Sequence, residues 1–305
     1  MFFHVKELQF DARPERPDPV YAKRLQELLG GQMGEMTVMM SYLMQGWNCR
    51  GPQKYKDMLL DIGTEEIAHV EMLSSMIGRL LENAPVKMQD EAAAASPVVE
   101  AAMGAMGGST VQDAIFAAMN PQHEIVSGQG ATLKDSVGVP WNGGYIAASG
   151  NLLADFRFNL MAESQGNLQA ARLYEMTDDA GVRRMLSFNL ARDIMHQNQW
   201  QAAIDDLRAE GIEEFVVPGT LPMERVMTSQ SGTFWNMSQG TESQQGAWAS
   251  GPRPDGQGEF TYLADPAPLT TDNGDLPPSD PRLHGTQKQP MPPVSSGGPN
   301  PNPDR

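Results

Sequence analysis

Apolar residues recur every three to four positions along four long stretches of the chain, which places them on one face of an α-helix. The pattern predicts four helices, at about residues 19–48, 52–83, 145 or 149 to 176, and 178–210. Gly51-Pro52 separates the first two, since glycine follows helix ends and proline opens helices. Thr177-Asp178-Asp179 separates the last two. Threonine is a preferred cap at a helix N-terminus, and acidic side chains stabilise that end because it carries partial positive charge.

The segments around these helices have a different composition. Residues 84–108 and 120–144 are rich in Gly, Pro or Ala and predict loops, with a short capped helix at Ser109–Met119 between them. The start of the chain predicts a polar arm with some strand character at Phe2–Val5. We therefore expect an all-α, ferritin-like four-helix bundle in which a long crossover joins two helical hairpins.

After Gly211 the chain becomes dense in Pro, Gly, Ser and Asp, a composition that does not build a core of its own. The parts expected to be ordered or to serve as anchors are residues 216–224 and 234–238, with Phe260, Tyr262 and Leu263. We predict a bundle domain at residues 1–210. Residues 211–305 are predicted to form an extended segment that is either disordered or packed on a neighbouring subunit.

The composition indicates which kinds of binding partner are unsuitable and in which cellular compartment the protein is expected. The net charge of −16 and the pI of about 4.7 argue against nucleic acid or an anionic membrane as the main partner. No apolar run is long enough to span a membrane, and Cys49 is the only cysteine, so no intramolecular disulfide can form. A cytoplasmic protein is the expectation. The 21 methionines indicate flexible filling of helical cores rather than a copper or heme role.

One arrangement of acids and histidines occurs twice. Glu35 precedes Glu66-Ile-Ala-His69, and Glu163 precedes Asp193-Ile-Met-His196 at nearly the same distance. Each unit therefore has a lone carboxylate on one helix and a carboxylate-x-x-His on the next. An i, i+3 pair lies on one helix face. Folding each helix pair about its turn brings its two carboxylates to the same height. Together, the two units supply the ligand set of a dinuclear metal site in a four-helix bundle.

A single Glu-x-x-His on a helix is more often a solvated surface feature than a site. Two copies with matching partner carboxylates rarely arise by accident. The groups are also surrounded by apolar residues, among them Met36, Met39, Ile62 and Leu73. Burying carboxylates and imidazoles there is costly unless they are paired or bound to metal, so the pattern favours metal.

The chain resembles the manganese catalases, non-heme enzymes with a ferritin-like bundle. The resemblance covers about residues 1–240 and is carried by four segments: Glu35-Met-Thr-Val-Met-Met-Ser-Tyr42, Glu65-Glu66-Ile-Ala-His69-Val-Glu71, Ala162-Glu163-Ser164, and Ala191-Arg192-Asp193-Ile194-Met195-His196-Gln197. It implies an enzyme that disproportionates hydrogen peroxide into water and oxygen, with two manganese ions that cycle by two electrons.

The resemblance also implies roles for particular residues. Glu35 is expected to bridge the two ions. Each ion then has its own pair of ligands, Glu66 with His69 and Glu163 with His196. Tyr42, on the same helix face as Glu35, is either a hydrogen-bond donor to the centre or a core tyrosine with a satisfied hydroxyl.

Two positions depart from the family pattern. Asp193 stands where many relatives carry Glu beside the cluster, and Ala162 stands where some carry a basic residue. An unligated carboxylate at such a cluster is suited to general acid–base work. Asp193, one methylene shorter than Glu, is therefore predicted to carry protons and not to bind metal.

A second site is predicted, for a hard cation. Asp57 and Asp61 lie one turn apart on a helix and suit a hard cation, although an ordinary solvated helix face has the same appearance. The resemblance implies that Asn236, Ser238 and Gly240 of a neighbouring subunit complete a calcium site. It also implies a homo-oligomer, a hexamer, in which the C-terminal segment wraps around neighbours.

Two other functions remain possible from the residues. A di-iron oxidase or oxygenase usually has four carboxylates and two histidines, and would need Asp193 as a ligand. The non-enzyme alternative is a ferritin-like iron store, or a spore- or cell-surface structural protein that has kept the bundle. An iron store would not need the long crossover or the Pro-rich C-terminal segment.

Overall fold

In the part of the chain that the structure describes, five long helices build the first of two compact units. The structure is a computed structural model that describes residues 4–82, 126–211, 225–272 and 274–280. The helices are α1 (Pro19–Gly30), α2 (Glu35–Asn48), α3 (Gln53–Leu80), α4 (Leu152–Glu175) and α5 (Ala180–Glu210). Helix α2 packs along α3, and α4 packs along α5, so each pair is a hairpin. The predicted all-α bundle of two hairpins is confirmed, with α1 as an additional helix against α3.

The helix predicted over residues 19–48 is two helices, so this prediction is wrong. Gly31 ends α1, its N–H donating to the carbonyl of Glu27 at 3.0 Å. A Cβ atom on Gly30 would lie 2.4 Å from the carbonyl oxygen of Lys134, and one on Gly34 would lie 2.6 Å from that of Leu28. The neighbouring backbone therefore lies too close to Gly30 and Gly34 for either position to carry a side chain. The break places Glu35 in the first turn of α2.

The other helix starts differ from prediction by a few residues. Asn151 caps α4, its side chain accepting from the N–H of Ala154 at 2.9 Å. Asp179, not Thr177, caps α5 by accepting from Val182 N at 3.0 Å. The other oxygen of Asp179 accepts from the N–H of Glu15 at 2.8 Å. Asp179 thus caps the helix and fastens the N-terminal arm to it.

Two apolar clusters lie at opposite ends of the bundle. One is built largely from α1 and the C-terminal half of α3, including Leu25, Leu73 and Met76. The other includes Tyr42, Phe156 and Trp200. Along both α3 and α5 the residues between these clusters include buried polar side chains: Glu66, His69, Asn189, Asp193 and His196. The bundle therefore has a polar layer between two apolar ends.

The described part of the crossover lies against α1 and α2. Gln26 donates to the carbonyl oxygen of Lys134 at 2.8 Å and accepts from Thr132 N at 3.0 Å. The Trp141 indole donates to Thr37 Oγ1 at 2.9 Å. These contacts fix the crossover next to the break that precedes Glu35. Several predicted features lie outside the described residues: the helix at Ser109–Met119, the loop at 84–108, Phe2 and Phe3 of the arm, and residues 216–224.

The second compact unit covers Pro222–Arg305, and the first covers Met1–Leu221. It contains a short helix α6 (Thr228–Ser231) and strands β1 (Thr233–Trp235), β2 (Gly251–Pro252) and β3 (Glu259–Leu263). Strand β3 is central, parallel to β1 and antiparallel to β2. Strand β1 contains Phe234 and Trp235 of the stretch expected to be ordered, and β3 contains the expected anchors Phe260, Tyr262 and Leu263. The predicted domain limits at 210 and 211 stay a prediction.

Among the described residues, no helix combines the length and the apolar character needed to cross a bilayer.

Candidate metal centre

Six buried side chains converge in the polar layer of the bundle. Glu35 comes from α2, Glu66 and His69 from α3, Glu163 from α4, and Asp193 and His196 from α5. Each is at most 5% exposed. The structure thus brings together all five predicted manganese ligands and Asp193.

The six side chains form two ligand groups that share one member. Glu35, Glu66 and His69 form the first, and Glu66, Glu163 and His196 form the second. Within each group the ligand atoms lie within 4.8 Å of one another. Glu66 Oε2 lies 2.7 Å from His69 Nδ1, and its Oε1 lies 2.7 Å from His196 Nδ1. The carboxylate common to both groups is therefore Glu66, whereas Glu35, the predicted bridge, belongs to the first group alone.

The distances to the outer carboxylates explain this arrangement. Glu35 Oε2 lies 3.6 Å from His69 Nδ1, and Glu163 Oε1 lies 3.6 Å from His196 Nδ1. Glu35 and Glu163 thus each approach one histidine, while Glu66 projects between the two rings, whose centroids are 5.6 Å apart.

Several atoms of Glu66 and the two histidines have no hydrogen-bond partner. Both oxygens of Glu66, both nitrogens of His69 and Nδ1 of His196 are buried and unpaired, because the 2.7 Å approaches lack hydrogen-bond geometry. Such atoms cost roughly 1–3 kcal/mol each when left unsatisfied. Carboxylate and imidazole donors suit manganese. The residues present therefore fit a pair of metal ions.

The electrostatics of the centre also demand cations. Burial, together with the charge of Glu66, raises the pKa of Glu35 to about 7 and raises those of Glu163 and Asp193. For Asp193 the charge of Glu35 contributes more than that of Glu66. Burial opposes the charged form of Glu66 as well, but the two facing histidines hold its pKa below the ordinary value. Four carboxylates thus share a buried space with two imidazoles, and positive charge is needed to keep all four ionised.

The group of Glu35 and His69 has polar neighbours from α5. Asn189 Nδ2 donates to Glu35 Oε1 at 2.8 Å and to Asp193 Oδ1 at 2.9 Å. Asp193 Oδ1 lies 3.9 Å from His69 Nδ1, and Asp193 belongs to neither ligand group. Asn189 was not predicted. Its only sequence signal is its place one turn before Asp193.

The group of Glu163 and His196 has neighbours from α2 and α3. The Tyr42 hydroxyl donates to Glu163 Oε1 at 2.6 Å. Burial and the charge of Glu163 raise the pKa of Tyr42 well above its ordinary value, so the hydroxyl keeps its proton. The Tyr42 ring packs against Trp200 at a centroid distance of 4.9 Å.

Glu65 lies outside the ligand groups but contacts one of them. Its Oε2 lies 3.2 Å from His196 Nε2, whereas its Oε1 lies 3.9 Å from His69 Nε2. Arg192 donates to both oxygens, at 2.6 and 3.0 Å, and Gln9 donates to Oε1 at 2.8 Å. The hydrogen bonds from His196 and Arg192 hold the pKa of Glu65 well below its usual range. Sequence analysis assigned no role to this pair, although Arg192 precedes His196 by one turn.

The predicted calcium residues lie in different compact units. Asp57 and Asp61 are exposed on α3, and Asp57 accepts from Gln53 Nε2 at 2.6 Å. Asn236 follows β1 and donates its N–H to the carbonyl of Leu263 at 2.9 Å. Ser238 and Gly240 are exposed, and Gly240 has a φ of 100°. Within each unit these residues are accessible to a cation.

The chain has clear relatives. A family model described as manganese containing catalase matches residues 1–296. The uncharacterized protein YjqC of Bacillus subtilis is 54% identical over 97% of this chain and 99% of its own length. A manganese catalase of Bacillus subtilis is 53% identical over 94% of this chain and 98% of its own length. The crystal structure of KatB, a manganese catalase from Anabaena, matches 87% of this chain and all of that chain with a TM-score of 0.63 and 26% identity.

Proposed function

The chain belongs to the family of manganese-containing catalases, and we infer that it converts hydrogen peroxide into water and oxygen at a dinuclear manganese centre. The observation that carries this inference is the position of Glu66, shared between two buried histidines whose facing nitrogens have no hydrogen-bond partner. The ferritin-like architecture predicted from the sequence is that of this family.

We propose that each ligand group holds one ion. Glu35 and His69 would hold the first, Glu163 and His196 would hold the second, and Glu66 would be a ligand common to both. The bound manganese pair supplies a redox centre that accepts and returns two electrons. The protein excludes bulk water, because all five ligands are buried.

Asp193 is proposed as the proton carrier of the centre. The support is geometric: Asp193 is buried beside the first ligand group, outside both groups, with Asn189 Nδ2 donating to Oδ1 at 2.9 Å and to Oδ2 at 3.1 Å. Asn189 therefore fixes the carboxyl group relative to Glu35. In this position Asp193 can hold a proton at a carboxyl oxygen and return it during the reaction.

A di-iron oxidase is not favoured, since it would need Asp193 among the ligands. Metal analysis of protein purified from manganese-rich medium tests the proposal. We expect about two manganese ions per chain and oxygen release from peroxide in the presence of cyanide, which inhibits heme catalases. Iron in place of manganese, with no oxygen release after manganese loading, would contradict it.

We also propose a homo-hexamer in which residues beyond Gly211 lie on neighbouring subunits. The support comes from the second unit, where Trp248 is 56% exposed, Met237 78% and Leu276 89%. These large apolar side chains are available for contact with another surface. Calcium held by Asp57 and Asp61 of one subunit and by Asn236, Ser238 and Gly240 of the next would strengthen such contacts by mass action.

Asp57→Ala tests the shared calcium site. We expect lower thermal stability and a looser oligomer with manganese retained, and removal of calcium by a chelator should have the same effect on the unchanged protein. Asp205→Ala is the matched control, because Asp205 is also exposed and accepts from a glutamine one turn earlier, at 3.2 Å. A monomer whose thermal stability is the same with and without calcium would contradict both proposals.

A cytoplasmic location is proposed as well, supported by the lone Cys49, which forms no disulfide. Cell fractionation tests it, and recovery of the protein from the culture medium would contradict it.

A further inference from the structure

We propose that Glu65 is a positioning residue that holds His196 but not His69, so that the two metal positions differ in affinity. The inference rests on the proposed dinuclear centre. Each histidine has one ring nitrogen, Nδ1, toward the metal position, and the protein can support the ring through the other nitrogen, Nε2.

Both histidines direct Nδ1 toward Glu66 and Nε2 toward Glu65. An ionised carboxylate only accepts hydrogen bonds. The 3.2 Å contact between His196 Nε2 and Glu65 Oε2 therefore places the ring proton on Nε2 and leaves Nδ1 free to bind metal. The same carboxylate lies 3.9 Å from His69 Nε2, too far for a hydrogen bond, and that nitrogen has no partner.

Arg192 explains why Glu65 favours one ring. Glu65 lies on α3, one turn before His69, but both of its oxygens accept from Arg192 on α5. This two-point contact draws the carboxylate away from the histidine of its own helix and toward the histidine one turn after Arg192. The pair is partly open to solvent, with 36% of the Arg192 side chain and 18% of the Glu65 side chain exposed.

A carboxylate behind a metal-binding histidine fixes the ring and makes it a stronger donor, and its loss typically lowers metal affinity roughly 10–100-fold. Glu65→Gln should therefore weaken the ion held by Glu163 and His196 by about that factor. The ion held by Glu35 and His69 should change little, because His69 has no hydrogen bond to lose.

The experiment titrates manganese-loaded protein with a chelator and records metal content and the electron paramagnetic resonance spectrum of the Mn(II) form. At a chelator level where the unchanged protein keeps both ions, Glu65→Gln should keep one. The spectrum of a coupled pair should then be replaced by the six lines of an isolated ion. Adding Glu35→Gln to this variant should release the remaining ion, whereas adding Glu163→Gln should not.

Glu71→Gln is the matched control, because Glu71 lies on the same helix and pairs with the exposed His4 at 3.1 Å. It should keep both ions. Circular dichroism of the metal-free variants checks that the bundle is intact. If Glu65→Gln does not fold, Arg192→Leu provides the same test, and Arg192→Lys should restore part of the loss.

Two outcomes would overturn the inference: Glu65→Gln holds both ions as tightly as the unchanged protein, or it loses both in one step. A remaining ion that depends on Glu163 rather than Glu35 would overturn it too. These outcomes leave the proposed function intact, whereas failure of the unchanged protein to bind manganese would remove the proposed function and this inference together.

Discussion

Around Glu35 and His69 the polar neighbours are Asn189 and Asp193, whereas around Glu163 and His196 they are Tyr42 and Glu65. Asn189 donates to Glu35 and to Asp193, so a possible proton carrier lies beside the first group. Among the described residues, the second group has instead a tyrosine hydroxyl on its carboxylate and the carboxylate of Glu65 on its histidine.

The difference follows from how the hairpins pack. Each group takes its unshared ligands from one hairpin, and its neighbours come from the other. Asn189 and Asp193 on α5 contact ligands of α2 and α3, while Tyr42 on α2 and Glu65 on α3 contact ligands of α4 and α5. Two groups with nearly identical sequence spacing therefore have different surroundings, and changes at either group should have different consequences.

The largest effect should come from His69→Ala and His196→Ala. Each removes a ligand and leaves buried carboxylates without compensation, so both manganese and activity should be lost while helix content stays largely intact. Metal analysis, oxygen release and circular dichroism measure the three quantities. Full manganese occupancy in either variant would contradict the ligand assignment.

Asp193→Asn tests the neighbour that only the first group has. The amide keeps the shape and cannot carry the proton, so the turnover rate should fall by about 10²–10⁴-fold while both ions remain. Steady-state oxygen release and metal analysis separate the two effects. Loss of a metal ion would instead make Asp193 a ligand and favour the di-iron alternative.

Tyr42→Phe tests the second group in the same way. It removes the 2.6 Å hydrogen bond to Glu163, an interaction with a charged group worth about 1.5–3 kcal/mol. We expect both ions to be retained and turnover to fall by about one order of magnitude, less than for Asp193→Asn. Unchanged turnover with a lower melting temperature would assign Tyr42 to the core alone.

The smallest effect should come from a surface contact outside both groups. Lys54 donates to Asp206 Oδ2 and Glu210 Oε1, each at 2.6 Å, and its hydrogen bond lowers the pKa of Asp206 below the ordinary 3.8. An acid whose pKa is lower in the folded protein than in the unfolded chain stabilises the fold at pH values above its unfolded pKa. This contribution to stability is lost as the pH falls through the folded pKa. Lys54→Met should therefore lower the melting temperature by about 1–2 °C at pH 7 and not at all near pH 2.

A difference in melting temperature that grows as the pH falls, or any loss of manganese, would contradict this last prediction.

The helix predictions show where sequence patterns suffice. Apolar periodicity located α3, α4 and α5 to within a few residues, because each helix buries one continuous face. It missed the break between α1 and α2, where Gly30 passes the backbone of Lys134 from the distant crossover. It also missed β1 and β3, whose pairing joins Thr233 to Thr261 within a segment rich in glycine and proline.

The sequence by itself identified the family and the candidate metal ligands, the ligands because carboxylate-x-x-His on one helix face is a local property that any straight helix displays. Only the tertiary structure decided that Glu66 is the shared carboxylate and that Glu65 contacts His196 rather than His69. These contacts depend on the distance between α3 and α5 and on Arg192 drawing Glu65 across that gap. Spacing along a helix fixes which residues share a face, whereas packing between helices fixes which of them meet.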